Sequence, residues 1–161
     1  MTIIYALLIL LVIGGIGTIF YIVYYNALQD CKTKIDESES MIDEALRSKY
    51  DILLKLESLI KTNIKETKIN FKDLNDLKKE SISNFQLERK LVDTVLLINK
   101  IQDDFPKLEE IKEYRELLND IRVMDERINA SKKYYNKYTS KSNELVRKFP
   151  SNIIAKFHNI T

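Results

Sequence analysis

Glycine is absent from Thr18 to Thr161, and the chain's three glycines, Gly14, Gly15 and Gly17, all lie near its start. Ordinary usage is about 7%. Without glycine, phosphate-cradling loops, type I′ hairpins and most positive-φ turns are costly. A P-loop, a Rossmann fingerprint and a glycine-rich β architecture are therefore excluded. The single His158 and single Cys31 exclude a Cys/His zinc site, and a Cys–His nucleophile pair would need these two residues to meet. What remains is long helices with few turns.

Residues 3–25 carry no charge over 23 positions. At about 1.5 Å per residue such a helix covers about 34 Å, enough for a hydrocarbon core of about 30 Å. Tyr5 at one end and Tyr21, Tyr24 and Tyr25 at the other sit where interfacial aromatic belts sit. A cleaved signal sequence would want a basic leader and a small-residue cut site, and neither is present. The segment reads as an uncleaved anchor in the lipid bilayer. Residues 1–2 are then a short extracytoplasmic N-terminus, and residues 26–161 form one helical domain. Lys32, Lys34 and Arg47 follow the span and no basic residue precedes it. The positive-inside rule puts the N-terminus outside and the domain in the cytoplasm.

Beyond the span, Leu28, Ile35, Ile42, Leu46, Leu53, Leu56, Ile60 and Ile64 form a helical stripe, with Cys31, Ser38 and Lys49 at the intervening seam positions. The membrane helix is expected to run on to about Thr67. A second helix is read from Leu74 to Asp103, carrying Leu74, Leu77, Phe85, Val92, Val95 and Leu96. Pro106 opens a third, running to Lys148, with Glu109 and Glu110 in its first turn. Its stripe is Ile111, Leu118, Ile121, Ile128, Tyr135, Tyr138, Leu145 and Phe149, interrupted at Asp125, Lys132 and Ser142. After Pro150, Ser151 is placed as the cap of a short helix over 152–157. Chain reversals fall at Pro106, Pro150 and the polar stretch 70–75. The expected fold is all-α: a transmembrane helix, then an elongated antiparallel up-down bundle of three long helices and a short C-terminal one, like a four-helix bundle.

Motifs sharpen that class. Tyr25-Asn26-Ala27-Leu28 follows the span, and Phe105-Pro106-Lys107-Leu108 precedes the third helix. Ala130 to Asn136 contains Tyr135-Asn136, Ser142-Asn143 follows, and Phe149-Pro150-Ser151-Asn152-Ile153-Ile154-Ala155 closes the run. This pattern resembles the LemA family, which ends in A-R-x-x-Y-N, a second Y-N and F-P-S-N-x-I-A. Lys132 stands for the Arg and Ser142 for the second Tyr, while Leu54 replaces a frequent Pro. The resemblance implies a single-pass membrane protein with a four-helix-bundle-like soluble part, and it supplies no activity. It assigns Tyr25, Asn26, Tyr135, Asn136, Asn143, Phe149, Pro150, Ser151, Asn152 and Ala155 a structural role.

Chemistry is thinly represented. The paired acids at 103–104, 109–110 and 125–126 suit solvated helix faces better than acid–base catalysis. His158 has no neighbouring ligand or nucleophile in the sequence, and Asn136 and Asn143 read as buried register-setting residues. No catalytic residue, metal site or cofactor is expected. Charge is segregated: residues 103–126 hold nine acids and four bases, whereas 132–156 hold seven bases and one acid. An up-down rod brings Lys61, Lys65, Lys68 and Lys72 together with Lys132, Lys133, Lys137 and Lys141 at a distal basic end. That end suits an acidic protein partner rather than nucleic acid, for which the net charge of +2 offers little. A merely solvated lysine-rich face is the alternative. The expected role is a non-enzymatic scaffold or adaptor at the membrane, or else an accessory subunit of a membrane-embedded enzyme such as a protease. Self-association stays open.

Overall fold

The computed structural model describes residues 2–64, 71, 74 and 83–160. Among them the chain is all-α. Helix α1 spans Thr2–Asn63, α2 spans Asn84–Asp104, a 3₁₀ helix spans Pro106–Glu110, α3 spans Lys112–Arg147 and α4 spans Ser151–Phe157. The chain divides into two compact units, Glu39–Lys132 on one hand and Met1–Ser38 with Lys133–Thr161 on the other.

In the unit 39–132, the core is the meeting of three helical stripes with a few added side chains. From α1 come Ala45, Leu46, Leu53, Leu56, Leu59, Ile60 and, just beyond, Ile64. From α2 come Leu91, Ile98 and Ile101, and Leu108 is added by the 3₁₀ helix. From α3 come Tyr114, Leu117, Ile121 and Ile128, with Phe71 and Leu74 completing the cluster. Truncating one such buried leucine to Ala costs about 2–5 kcal/mol, depending on how well the site collapses. The α1 stripe follows its expected seam. The α2 stripe does not: Phe85, Val92 and Leu96 are exposed, and the buried positions are Leu91, Thr94, Ile98 and Ile101. Their spacing of 3, 4 and 3 is the true seam. Thr94 is tolerated there because its hydroxyl donates to the Lys90 carbonyl at 2.9 Å.

Polar seam positions pair with one another. Lys49, 3% exposed, donates to Asp125 Oδ1 at 2.6 Å, and Arg127 lies 3.4 Å from Glu44. Those pairs make α1 and α3 antiparallel. Lys132 donates to both Glu88 oxygens at 2.6 and 2.5 Å, and Tyr114 donates to Gln102 Oε1 at 3.2 Å, so α2 and α3 are antiparallel as well. Helices α1 and α2 therefore run in the same direction. A simple up-down order of three long helices would instead make α1 parallel to α3. The start of α3, not its end, lies beside the end of α1.

The turn at Pro106 also differs from expectation. Helix α2 ends at Asp104, but Pro106 opens a 3₁₀ turn and Ile111 is extended (φ −78°, ψ 118°) before α3 begins at Lys112. Glu109 and Glu110 belong to that turn, where Glu109 accepts from Gln102 Nε2. Before α2, Ser83 caps the helix by accepting from the Gln86 amide. The expected start at Leu74, with Leu77 in its stripe, and the reversal at 70–75 lie largely outside the described residues.

In the other unit, residues 2–23 of α1 are exposed throughout, and burial begins at Tyr24. Leu28 packs with Ile154 and Ala155, flanked by Tyr24, Tyr25, Leu145, Val146 and Ile160. Cys31 and Ser38 continue the seam, the Ser38 hydroxyl donating to the Lys34 carbonyl at 2.5 Å. Ser151 does not cap α4. It is the first helical residue, Pro150 holds the N-cap position, and the Ser151 hydroxyl donates to the Lys148 carbonyl at 2.9 Å. A Schellman motif ends α4: Asn159 takes φ 52°, its amide bonds Lys156 O and the Ile160 amide bonds Ala155 O at 2.9 Å. Asn fills a left-handed position in a segment that has no glycine.

Replacing Asp125 by Asn leaves the buried Lys49 ammonium without its counter-charge, and urea unfolding in detergent is expected to show a loss of about 2–3 kcal/mol. Lys49→Met, which removes the charge instead, is expected to stay within about 1 kcal/mol of the parent. Asn159→Val strains the left-handed residue by about 1–2 kcal/mol and so lowers amide protection across 151–158 about fivefold or more in hydrogen exchange. Asn159→Gly leaves that protection unchanged.

Candidate functional site: a lysine and tyrosine face close to the apolar span

Of the expected basic end, Lys61 and Lys132 do not come together. Lys61 is paired with Glu57 at 2.5 Å and lies over the Phe71 ring. In the same unit Lys132 is bound to Glu88. The antiparallel register puts Lys61 toward the start of α3, about twenty residues, or about 30 Å, from Lys132. Lys65, Lys68 and Lys72 lie outside the described residues.

What remains is a smaller face built by α1 and the second half of α3. The ammonium of Lys34 stands 5.8 Å from the Tyr134 ring centre and 5.5 Å from that of Tyr138. Lys137 and Lys141 lie over the same Tyr138 ring at 5.4 and 6.0 Å, and the two tyrosine rings are 4.6 Å apart. Lys133 is exposed on the next turn. Helical spacing produces this face: positions 134, 138 and 141 share one side of α3, with 133 and 137 at its border. Lys34 lies nine residues past Tyr25, about 14 Å along the helix. The face is therefore close to the apolar span, not distal.

Its electrostatics favour binding over proton transfer. Hydrogen bonding to Tyr134, then attraction to it, raises the Lys34 pKa. Hydrogen bonding to Tyr134 and burial raise that of Tyr138. Both shifts keep lysine charged and tyrosine neutral at ordinary pH. Cys31, buried beside this face, has its thiol pushed up, chiefly by burial, with Lys141 opposing and Asp30 reinforcing.

Near α4, the His158 Nε2 and the Tyr21 hydroxyl are 2.7 Å apart in a hydrogen bond, and the His158 ring packs tilted against Tyr25 with ring centres 4.7 Å apart. A cavity of about 400 Å³ opens here, lined by Gln29, Lys32, Ile35, Ser142, His158 and Asn159 among others. Ser142 is the position at which the resembled pattern carries Tyr, a side chain that would enter this space. Of the motif residues, Ser151 and Ala155 are buried, while Tyr25, Tyr135, Pro150 and Asn152 are half-buried. Asn26, Asn136, Asn143 and Phe149 are exposed. Asn136 and Asn143 thus do not set register from within a seam, and Phe149 does not extend the α3 stripe. Neither the Tyr138 cation cluster nor the histidine–tyrosine contact was read from sequence. The alternation of lysine and tyrosine over 132–141 was the available signal for the first.

Cys31 tests this geometry. Because the thiolate is the reactive form, a raised thiol pKa lowers reactivity at neutral pH. Iodoacetamide alkylation of the folded protein is expected to be slow at pH 7.5, to keep climbing beyond the ordinary thiol range, and to reach the free-cysteine rate in denaturant.

No curated protein and no solved structure matches this sequence. The family model for the LemA family matches residues 38–161. That stretch takes in the α1 seam beyond Ser38, α2, α3, the Phe-Pro turn and α4. By that match over most of its length, the chain belongs to the LemA family.

Proposed function

We propose that this protein is a single-pass membrane-anchored helical scaffold that binds an acidic protein partner and performs no chemistry of its own. The observation that carries the anchoring is the apolar window of α1, with a mean hydropathy of 2.7 and none of it buried within the chain. Exposing so large an apolar surface to water is unfavourable by about 25 cal/mol per Å², and a hydrocarbon environment removes that cost. On this reading residues 3–25 span the cell membrane and the helical domain is cytoplasmic, following Lys32, Lys34 and Arg47. The histidine engaged by Tyr21 and the buried, high-pKa Cys31 both support a structural use of the two residues best suited to catalysis.

Lys133, Lys137 and Lys141, with Lys34 behind them, form the partner face. Charge complementarity at such a face governs encounter and register more than raw affinity. In cross-linking and co-purification of the full chain from its membranes, Lys133→Ser, Lys137→Ser and Lys141→Ser together are expected to lower partner recovery about tenfold, a loss of ~1.4 kcal/mol. Unchanged recovery overturns the docking role.

An accessory subunit of a membrane-embedded enzyme is the second reading, favoured by one observation. A Cβ at Gly14, Gly15 or Gly17 would meet nothing within 4 Å, so this face of α1 is open to another membrane helix. Exchanging residues 3–25 for an unrelated apolar helix separates the readings. Loss of the membrane complex favours the accessory subunit, and its retention favours the scaffold.

A further inference from the structure

The short helix α4 is amphipathic. Ile154 and Ala155 pack with Leu28 and Tyr25, whereas Ile153 and Phe157 face outward at 59% and 79% exposure. Phe149, in the turn that precedes the helix, is also 79% exposed. On α4, Ile153 and Phe157 are four residues apart and share one face, with Lys156 at its edge. Leaving Ile153 and Phe157 together in water, with Phe149 exposed in the preceding turn, calls for something that covers them.

Register identifies the cover. The hydrogen bond of His158 to Tyr21 and the packing of its ring on Tyr25 tie the end of α4 to the last turn of the uncharged segment. Tyr21 lies four residues inside the end of that segment, about 6 Å along the helix. Interfacial helices bury their apolar face about 5–10 Å into the boundary between head groups and acyl chains. The exposed strip is thus continuous with the wholly exposed surface of α1, at the level where its tyrosines mark the interface. Lys156, exposed and next to Phe157, stands at the border of the strip as a cation suited to lipid phosphates.

We propose that α4 lies in the lipid–water interface, with Ile153 and Phe157 inserted beside the transmembrane helix as a second membrane contact. The inference rests on residues 3–25 spanning the bilayer. A transmembrane helix alone can turn about its own axis. A second contact fixed to it by the Tyr21–His158 and Leu28–Ile154 contacts sets its rotation and holds the lysine and tyrosine face at a defined height above the lipid.

The chain has no tryptophan, so Phe157→Trp makes a single fluorescent reporter in the full-length protein, and Ile13→Trp reports on the span. Each variant is reconstituted into vesicles of phosphatidylcholine and phosphatidylglycerol, with bromine carried either near the head group or near the acyl-chain end. The Phe157→Trp emission is expected to lie to the blue and to be quenched by the shallow bromines, with acrylamide quenching severalfold below that of the denatured chain. The Ile13→Trp reporter is expected to be quenched by the deep bromines. A water-exposed Phe157→Trp beside a quenched Ile13→Trp overturns the interfacial docking and leaves the span standing. If Ile13→Trp is not quenched, the span fails and the docking with it. A blue-shifted Phe157→Trp insensitive to bromine means that a second copy or another protein covers the strip, and also overturns the proposal. Ile153→Trp, one turn earlier, repeats the measurement should Phe157→Trp disturb the helix, as judged by amide protection across 151–158.

Discussion

Burial of one face of α1 beyond Tyr24 is the interaction on which the rest of the structure depends. The same helix is wholly exposed over residues 2–23 and then carries a continuous seam from Leu28 to Ile64. Isolated helices draw little stability from propensity, and an amphipathic face gains most of its stability from packing. Each later element is accordingly placed by what it contributes to this seam. In one unit α3 supplies Tyr114, Ile121 and Ile128 and α2 supplies Leu91, Ile98 and Ile101. In the other, α4 closes over Leu28 through Ile154 and Ala155.

Polar residues within the seams do the work of specification. Apolar stripes alone would tolerate sliding by a turn or a reversal of direction. Lys49 with Asp125, Lys132 with Glu88 and Tyr114 with Gln102 leave one register satisfied, because a slip would strand a buried ammonium or phenol. These pairs explain why α3 is antiparallel to both of its long neighbours in the unit 39–132. They also account for two interruptions, Asp125 and Lys132, that look like flaws in the sequence pattern of α3.

Much of this was legible in the sequence, for reasons that differ by element. The α1 seam reads clearly because its spacing is regular and its odd members, Cys31, Ser38 and Lys49, are small or long enough to reach a partner. The boundary at Asp104 is legible because Phe105 precedes a proline. Helix α2 misleads because its most conspicuous apolar residues, Phe85, Val92 and Leu96, are on the exposed side, while a threonine takes a seam position. The relative direction of α1 and α2 was not legible, and the polar pairs reveal that the two run the same way. Lys61 and Lys132 do not meet for the same reason: each has a carboxylate partner, and they lie at opposite ends of one unit. Asn159 shows how a segment without glycine still ends a helix, using the other residue that tolerates a left-handed backbone.

The central claim is that one unbroken helix passes from a wholly exposed apolar segment into a packed seam. Hydrogen exchange of the full chain in lipid nanodiscs tests it most directly at residues 24–30, where exposure gives way to burial. The structure predicts slow exchange through that stretch, continuous with protection on both sides. Fast exchange confined to residues 24–30, between two protected segments, would mean a flexible joint and would contradict it.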